Sequence, residues 1–238
     1  ILSIPVRGLL NRKAGPIPAA EHERALNQIS SAVQGGLFRK VIILGNIEQE
    51  HLDVLREMKA DIVYAGNYPL PPWVSNVSLD LPEATRLIVR EIATAGYSRL
   101  LHLGKQNAPR QSVQYGLVQG LREACEAAAL DFELFEHYDQ PTQMIEIAAE
   151  APRDTAVVPG NEAIAVKATC ALLMQGRSIP EEIGVASFGD TALSTSVLPE
   201  LTTVDLRFDD LGRRAAQVVA GDLGAGRSES IPVALVRR

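Results

Sequence analysis

The sequence predicts an α/β fold built on parallel β-sheets. Short apolar segments rich in β-branched residues alternate with segments whose apolar residues recur at helical spacing. Lys40–Leu44, Arg99–Leu103 and Phe132–Phe135 are apolar segments of strand length, and a helical segment follows each of them. Strands that alternate with helices are typical of parallel sheets with right-handed crossover connections.

The clearest alternation lies in the carboxyl-terminal half of the chain. Thr155–Val158 is a predicted strand, and Asn161 stands after it at a position typical of a helix N-cap. Ile183–Phe188 is the next predicted buried strand, and a turn with Asp190 follows it. Polar residues at the carboxyl ends of parallel strands point towards the ligand crevice of an open α/β sheet. Asn161 and Asp190 are therefore candidate ligand-binding residues.

The remaining predicted elements continue this alternation in both directions. The further predicted strands are Ile1–Val6, Lys40–Leu44 as a buried strand, Ala60–Ala65, and a last strand over Ile231–Val236. The further predicted helices are Ala19–Gln34, a segment ending at Met58, Glu83–Ala95, Ser112–Ala129 and Thr142–Glu150.

Composition and charge exclude several classes of function. A content of 46% hydrophobic and 22% charged residues is typical of a globular domain. The formal net charge of -6 gives no electrostatic attraction for phosphates, so we expect these residues not to bind nucleic acid by themselves. No apolar run is long enough to span a bilayer. The two cysteines, Cys125 and Cys170, are interpreted as buried small hydrophobic residues in a reducing compartment.

Motifs for catalysis and for metal binding are absent from the sequence. It contains no GxSxG, no GxxxxGK[ST], and no GxGxxG after a predicted strand. The histidines show no metal-ligand spacing; they are His22, His51, His102 and His137. We therefore expect no metal, no cofactor and no enzymatic activity.

Four segments match the motifs of a known family in the same order and at the same spacing. They are Gly160-Asn161-Glu162, Ile179–Asp190, Leu201–Val204 and Leu211–Ala216. With them the chain resembles the effector-binding core of the LacI/GalR transcription repressors, which shares its fold with the periplasmic sugar-binding proteins. Weaker matches at Val77–Asp80 and Gly120–Ala124 extend the resemblance from Leu26 to Val236.

The resemblance implies two Rossmann-like lobes of the periplasmic-binding-protein type I, each with a parallel sheet, and a ligand cleft between them. The chain is expected to cross between the lobes near Asp80, near Val204–Leu206 and near Ser230. The expected amino-terminal lobe is 1–80 plus 205–229, and the expected carboxyl-terminal lobe is 81–204 plus 230–238.

The resemblance also implies a function, that of an effector-binding and dimerisation domain of a cytoplasmic transcription regulator. In such proteins a small polar effector, sugar-like or acidic, shifts the lobes and so changes operator binding by an attached helix-turn-helix. No segment of this sequence resembles that helix-turn-helix, so operator DNA is an expected partner only through it. The segments expected at a homodimer interface are Ala19–Gln34, Ile47–Met58 and Thr191–Pro199.

Two other classes of function stay open on the sequence alone. A periplasmic solute-binding protein would share the fold, although no signal peptide is recognisable and the Leu211–Ala216 helix favours a regulator. A small-molecule enzyme on a doubly wound fold is the second, because a fold does not determine a function.

Three candidate ligand-binding residues follow from the resemblance. Asn161 matches an Asn that hydrogen-bonds the ligand in relatives, and Tyr138 matches an aromatic residue that stacks on it. Asp190 matches the second Asp of the family's Phe-Asp-Asp motif. Each has a structural interpretation as well: Asn161 as a helix cap, Tyr138 as a cover for the sheet end, and Asp190 as a turn cap.

Two departures from the family pattern concern charged residues. Gly189 stands where the family has the Asp that usually grips the ligand, and Leu117 stands where many relatives have an Arg. Arg110 and Gln111 lie at the start of the same predicted helix as Leu117 and are candidates to replace that Arg. A guanidinium group there could bind a carboxylate or phosphate in a bidentate manner. Together the departures weaken the expectation of an ordinary sugar as effector.

Overall fold

The computed structural model describes residues 39–44, 49–57, 59–104, 112–136, 150–222 and 226–238, and the single positions 27, 28, 31, 143, 146 and 147. The chain divides into two compact units: Ile1–Ser78 with Asp209–Ser230, and Leu79–Phe208 with Ile231–Arg238. Three predicted elements, Ile1–Val6, Ala19–Gln34 and Thr142–Glu150, lie wholly or largely outside the described residues.

The described elements alternate much as predicted. In chain order the strands are β1 (Lys40–Leu44), β2 (Asp61–Ala65), β3 (Ser75–Leu79), β4 (Arg99–Leu103), β5 (Asp131–Phe135), β6 (Thr155–Pro159), β7 (Ile183–Phe188), β8 (Thr202–Asp205), β9 (Ser228–Ile231) and β10 (Ala234–Val236). The helices are α1 (Gln49–Glu57), α2 (Leu81–Thr94), α3 (Val113–Ala127), α4 (Glu162–Met174) and α5 (Phe208–Gln217), and a short π-helical turn, Val218–Asp222, follows α5.

The described part of the first unit is organised around a four-stranded sheet in the order β1-β2-β3-β9. β2 pairs in parallel with both β1 and β3. Leu52 and Leu55 of α1 pack with Ile62 and Tyr64 of β2 in a buried apolar cluster. This arrangement is the strand–helix–strand packing that the sequence pattern predicts.

Lys40–Leu44 is a strand as predicted, but the prediction that it is buried is wrong. The strand has the predicted bounds, but it lies at the edge of the sheet that the described residues form. Val41 and Ile43 pack against the apolar cluster of α1 and β2. The alternate residues point to the other face, so Ile42 is 39% exposed and Leu44 is 71% exposed.

The second unit contains a six-stranded sheet in the order β10-β8-β7-β6-β4-β5. The five strands from β4 to β8 are parallel to one another. From β4 the chain moves outward to β5 and then returns to the other side of β4 with β6, so the strand order reverses between β4 and β6. The predicted α/β class with parallel sheets is confirmed, and such a reversal is where doubly wound sheets form a crevice.

The predicted last strand, Ile231–Val236, is wrong as a single element. The structure ends β9 at Ile231 and begins β10 at Ala234, and the two strands belong to different sheets. Pro232 lies between them and has no N–H group for a continued ladder, so the chain changes direction there. β10 then pairs antiparallel with β8.

Helix α4 covers one face of the second sheet. Its residues Ala168, Ala171 and Leu172 pack against Leu103 and Val157 in a buried cluster. Because successive side chains of a strand point to opposite faces, His102 of β4 points to the face opposite α4. Helix α2 contacts β7, β8 and β10 of the same sheet.

The predicted burial of the two cysteines holds for one of them. Cys125 of α3 is buried, whereas Cys170 of α4 is exposed, so the prediction is wrong for Cys170. Its neighbours Ala168, Ala171 and Leu172 occupy the packed face of the helix, and helical geometry directs position 170 away from that face. Among the helices within the described residues, none has the length and apolarity needed to cross a membrane.

Candidate functional site

The candidate site lies at the carboxyl ends of β4, β6 and β7, which are neighbours in the sheet of the second unit. Two of the five sequence-predicted site residues, Asn161 and Asp190, are described there. The other three, Tyr138, Arg110 and Gln111, lie outside the described residues. The described part of the site consists of the end of β4 with Gly104 and of the turns that follow β6 and β7.

Asn161 is the N-cap of α4. Its backbone is extended, with φ -158° and ψ 160°, and its side-chain Oδ1 accepts a hydrogen bond from the N–H of Ile164 at 3.1 Å. The cap satisfies one of the N–H groups that a helix start leaves without an intrahelical partner. The side-chain Nδ2 group of Asn161 has no hydrogen-bond partner among the described residues, and the residue is exposed. Its predicted contact with a ligand stays a prediction.

Asp190 has a different environment, because its carboxylate is already engaged. Oδ1 accepts hydrogen bonds from Ser194 Oγ at 3.1 Å, from Thr203 Oγ1 at 3.0 Å and from Arg238 Nη2 at 2.7 Å. Burial by itself would raise the pKa of this carboxyl, but these bonds and the charge of Arg238 outweigh burial and hold the pKa below its ordinary value. The contacts of Asp190 are those of an anchor for the turn after β7 and for the segment that ends in Arg238.

Glu162 is a site residue that the sequence reasoning missed. It is the first residue of α4 and is only 5% exposed, and its Oε1 accepts a hydrogen bond from the N–H of Thr191 at 2.8 Å. Its Oε2 lies beside Gly189, where an added Cβ would be 2.7 Å away. The signal that could have found it is the Gly189 position itself, since a missing side chain at a strand end leaves space for a neighbour.

His102 lies at the reversal of strand order, and the sequence reasoning considered it only for metal spacing. The imidazole is fully buried, and Nδ1 donates a hydrogen bond to the carbonyl oxygen of Val158 on β6 at 2.6 Å. Nε2 has no partner among the described residues, and an added Cβ on Gly104 would lie 2.4 Å from it. Burial lowers the pKa of His102 to about 4, and the hydrogen bond to Val158 opposes this with a smaller raising effect. The ring is therefore neutral near pH 7.

These groups can bind a polar molecule by hydrogen bonds. Asn161 presents an amide donor and Glu162 presents a carboxylate acceptor next to the reversal of strand order. Among the described residues, no group of His, Cys, Asp or Glu side chains is arranged to hold a metal ion. With its doubly wound sheet and polar strand ends, the fold is that of the periplasmic-binding-protein-like class.

Comparison with known proteins agrees with this class. Catabolite control protein A of Priestia megaterium is 23% identical over 220 residues, which cover 89% of this chain and 64% of that protein. The structure of the transcriptional regulator CelR in complex with cellobiose has a TM-score of 0.76 at 24% identity, covering 94% of this chain and 71% of that one. The LacI family regulator CcpA from Weissella paramesenteroides, with bound sucrose, has a TM-score of 0.77 at 17% identity, covering 91% and 82%.

The family follows from a sequence model described as "periplasmic binding protein-like domain", which matches residues 89–238. The chain belongs to this family. Its predicted resemblance to the effector-binding core of the LacI/GalR regulators is confirmed by the regulators among its relatives. The chain spans 64% of the length of catabolite control protein A of Priestia megaterium, so it corresponds to part of that relative.

Proposed function

We propose that this chain is the effector-binding and dimerisation part of a LacI-like transcription regulator. In this proposal a small polar metabolite binds at the carboxyl edge of the sheet of the second unit. The observation that carries the proposal is the pair of hydrogen-bonding side chains, Asn161 and Glu162, at the start of α4 beside the reversal of strand order. Doubly wound sheets bind their ligands at this position.

The proposed effector is sugar-like. Two structures of similar fold contain cellobiose and sucrose, which are neutral molecules rich in hydroxyl groups. Hydroxyl groups both donate and accept hydrogen bonds, so they suit a site that offers an amide donor and a carboxylate acceptor. An acidic metabolite, the other expectation from the sequence, would need the guanidinium group of Arg110, which lies outside the described residues.

We also propose that the two compact units are the two lobes of such a domain. The units meet along the chain at Ser78–Leu79, Phe208–Asp209 and Ser230–Ile231. The lobe boundaries expected from the resemblance are near residues 80, 205 and 230, within a few residues of these points. A ligand that binds one arrangement of the lobes better than another would shift the population towards it.

Operator binding belongs, in this proposal, to a helix-turn-helix that these 238 residues do not supply. The net charge of -6 disfavours contacts with DNA phosphates. Relatives such as the GalR of Streptococcus thermophilus are named as helix-turn-helix-type regulators, and the chain covers 60% of that protein. These names favour a regulator over both a periplasmic solute-binding protein and an enzyme.

We further propose a homodimer. The segment Thr191–Pro199, one of those expected at the interface, presents Leu193 at 43% exposure and Leu198 at 78% exposure. Two exposed leucines within one surface segment give that segment apolar area that another protein chain can cover. We propose that a second copy of this chain covers the surface of Thr191–Pro199.

The experiment that tests the function is a thermal-shift screen of the 238-residue chain. The panel contains neutral sugars, sugar phosphates, nucleobases and organic acids. A compound that binds only the folded state stabilises it by about 2.7 kcal/mol when its concentration is a hundred times its Kd, and therefore raises Tm. We expect at least one sugar-like compound to raise Tm without being chemically changed. Conversion of that compound into a product would contradict the proposal and indicate an enzyme.

A further inference from the structure

The imidazole of His102 joins two neighbouring strands at the place where the strand order reverses. The ring is fully buried, and its Nδ1 donates a hydrogen bond to the carbonyl oxygen of Val158 on β6 at 2.6 Å. The ring also lies beside the glycine that follows each strand. An added Cβ on Gly104 would overlap Nε2, and an added Cβ on Gly160 would be 3.8 Å from Cε1. One side chain therefore lies at the carboxyl ends of both β4 and β6.

The backbone ladder of β6 weakens towards this end of the strand. Its pairing with β7 ends at Val157 and Val185. Pro159 has no N–H group to donate. The N–H of Gly160 reaches the carbonyl oxygen of Leu103 only at 3.4 Å, which is longer than an ordinary hydrogen bond. The imidazole therefore adds a short hydrogen bond where the backbone bonds of β6 become few and long.

The other nitrogen of the ring is unfavourable for stability. Nε2 of His102 is buried and has no hydrogen-bond partner among the described residues. A buried acceptor without a donor costs free energy, so an apolar side chain of similar size would fill this position at lower cost. The bond from Nδ1 offsets that cost, and its effect is local to the end of β6.

We propose that His102 is a positioning residue of the effector site, which holds the Gly160-Asn161 turn in place through Val158. This inference rests on the proposed function, and it adds a residue that acts through Asn161 without touching the ligand. Asn161 follows Val158 by three residues, and its Oδ1 accepts the N–H of Ile164 at 3.1 Å. If Val158 is released, the turn and the amide group of Asn161 can move, and binding must then order them at a cost in affinity.

Two variants of His102 separate this role from a contribution to stability. His102→Asn keeps a donor, because the amide nitrogen of Asn lies near the position of Nδ1, but the smaller side chain leaves a space in the core and should lower Tm. His102→Leu fills the space and removes the unpartnered Nε2, but it has no donor, so its Tm should equal or exceed that of the wild-type chain. If the role of His102 were structural only, loss of affinity would follow loss of Tm.

The matched control is Thr155→Val. Thr155 is the first residue of β6, and its Oγ1 is another buried side-chain atom without a partner among the described residues. The substitution removes this atom at nearly constant shape and far from the turn. It should therefore leave both the turn and the affinity unchanged.

The experiment combines amide hydrogen exchange of the ligand-free chain, measured by NMR, with calorimetry. The calorimetric probes are glucose, ribose, sucrose and cellobiose. In His102→Leu we expect the amides of Gly160 and Ile164 to exchange roughly tenfold faster and a sugar to bind roughly tenfold more weakly, while the amide of Leu172 within α4 is unchanged. His102→Asn and Thr155→Val should match the wild-type chain in both measurements.

Several outcomes overturn the inference. Exchange and affinity in folded His102→Leu equal to those of the wild-type chain would do so, and so would equal losses in His102→Asn and His102→Leu. An unfolded His102→Leu also overturns it, because the bond would then support the whole unit. If His102→Asn does not fold, the exchange pattern of His102→Leu decides: faster exchange confined to Gly160 and Ile164 supports the inference, and faster exchange that includes Leu172 overturns it.

Failure of this inference is distinguishable from failure of the proposed function. The exchange measurement needs no ligand, so it decides the role of His102 even if none of the four sugars binds the wild-type chain. The thermal-shift screen then decides the proposed function separately.

Discussion

The imidazole of His102 is held by the backbone of Val158 on the adjacent strand. Nδ1 donates to the carbonyl oxygen of Val158 at 2.6 Å, and this bond assigns the ring proton to Nδ1. Nε2 then carries a lone pair that faces the backbone of Gly104 in a fully buried position. A second proton on this ring would have no acceptor among the described residues.

We predict that acid destabilises the chain through His102. The pKa is 6.5 in the unfolded chain and is lowered to about 4 in the folded state, so protons bind the unfolded chain more readily between these values. The free energy of unfolding should be intact above about pH 6.5 and fall by up to about 3 kcal/mol as the pH drops to about 4. Urea unfolding at a series of pH values measures this. His102→Leu, which cannot titrate, should show a shallower dependence, and an identical slope in both proteins would contradict the assignment.

Gly104→Ala should destabilise the chain. The added Cβ would lie 2.4 Å from His102 Nε2 and 2.5 Å from Cδ2 of a fully buried ring, so the ring or the backbone must shift. Overpacking of this kind costs about 1–3 kcal/mol. Gly212→Ala is the matched control: position 212 is within α5 and an added Cβ meets no atom within 4 Å, so alanine should stabilise by roughly 0.5–1 kcal/mol. Thermal unfolding should show a lower Tm for Gly104→Ala and a higher Tm for Gly212→Ala than for the wild-type chain. A Tm of Gly104→Ala equal to that of the wild-type chain would contradict the prediction.

Asp190→Ala should lower stability more than it lowers ligand affinity. The change removes the acceptor of Ser194, Thr203 and Arg238, and the Asp190 and Arg238 side chains are 21% and 17% exposed. Hydrogen bonds with a charged partner in such a position contribute about 1–3 kcal/mol. For comparison, Arg86→Ala removes a more exposed ion pair and should cost less than about 1 kcal/mol. Denaturant titrations measure the loss in the free energy of unfolding for each of the two variants. Equal losses for Asp190→Ala and Arg86→Ala would contradict the prediction.

Two substitutions at Asn161 separate its cap from its proposed ligand contact. Serine is also a good N-cap, so Asn161→Ser should keep the stability of wild type, whereas Asn161→Ala should lose about 1 kcal/mol. Both variants lack the Nδ2 donor and should bind the effector roughly tenfold more weakly. Calorimetry with a sugar that binds the wild-type chain tests this. If Asn161→Ser binds the sugar as tightly as the wild-type chain, Asn161 caps the helix and does not contact the ligand.

The proposed dimer predicts that a charge at Leu198 weakens self-association. The side chain is 78% exposed within Thr191–Pro199, so Leu198→Glu has little to disturb inside the unit but would place a charge in an apolar interface. Light scattering at micromolar concentration should give a dimer for wild type and a larger monomer fraction for Leu198→Glu. A wild-type chain that is monomeric at this concentration would contradict the dimer.

Local patterns in the sequence were sufficient to predict much of the second unit. Arg99–Leu103 and Ile183–Phe188 have the predicted bounds, because an apolar run of strand length ended by glycine has few alternative structures. The cap at Asn161 was equally predictable, since it depends on neighbouring residues only. The break at Pro232 does not follow from strand propensity, because the apolar residues on both sides of it favour a strand; it follows from the missing N–H of proline.

The contacts of the site depend on residues distant in sequence, which periodicity does not reveal. Glu162 reaches Thr191, 29 residues further along the chain, and His102 reaches Val158, 56 residues further along. Arg238 reaches Asp190 in the same way over 48 residues. The resemblance to a family indicated Asn161 and Asp190 as ligand candidates. Its matching segment Gly160-Asn161-Glu162 includes Glu162 without assigning it a role, and it gave no signal for His102. Their environment follows from the strand order β7-β6-β4, which only the structure shows.

The central claim is that the chain binds a small polar metabolite through the carboxyl edge of its second sheet. The most direct measurement is a calorimetric titration of the wild-type 238-residue chain with neutral sugars, repeated on a double variant of Asn161→Ser and Glu162→Gln. The account predicts saturable binding of at least one sugar by the wild-type chain and a loss of roughly a hundredfold in the folded double variant, if the two contacts are additive. Binding of that sugar with equal affinity by both proteins would contradict the account.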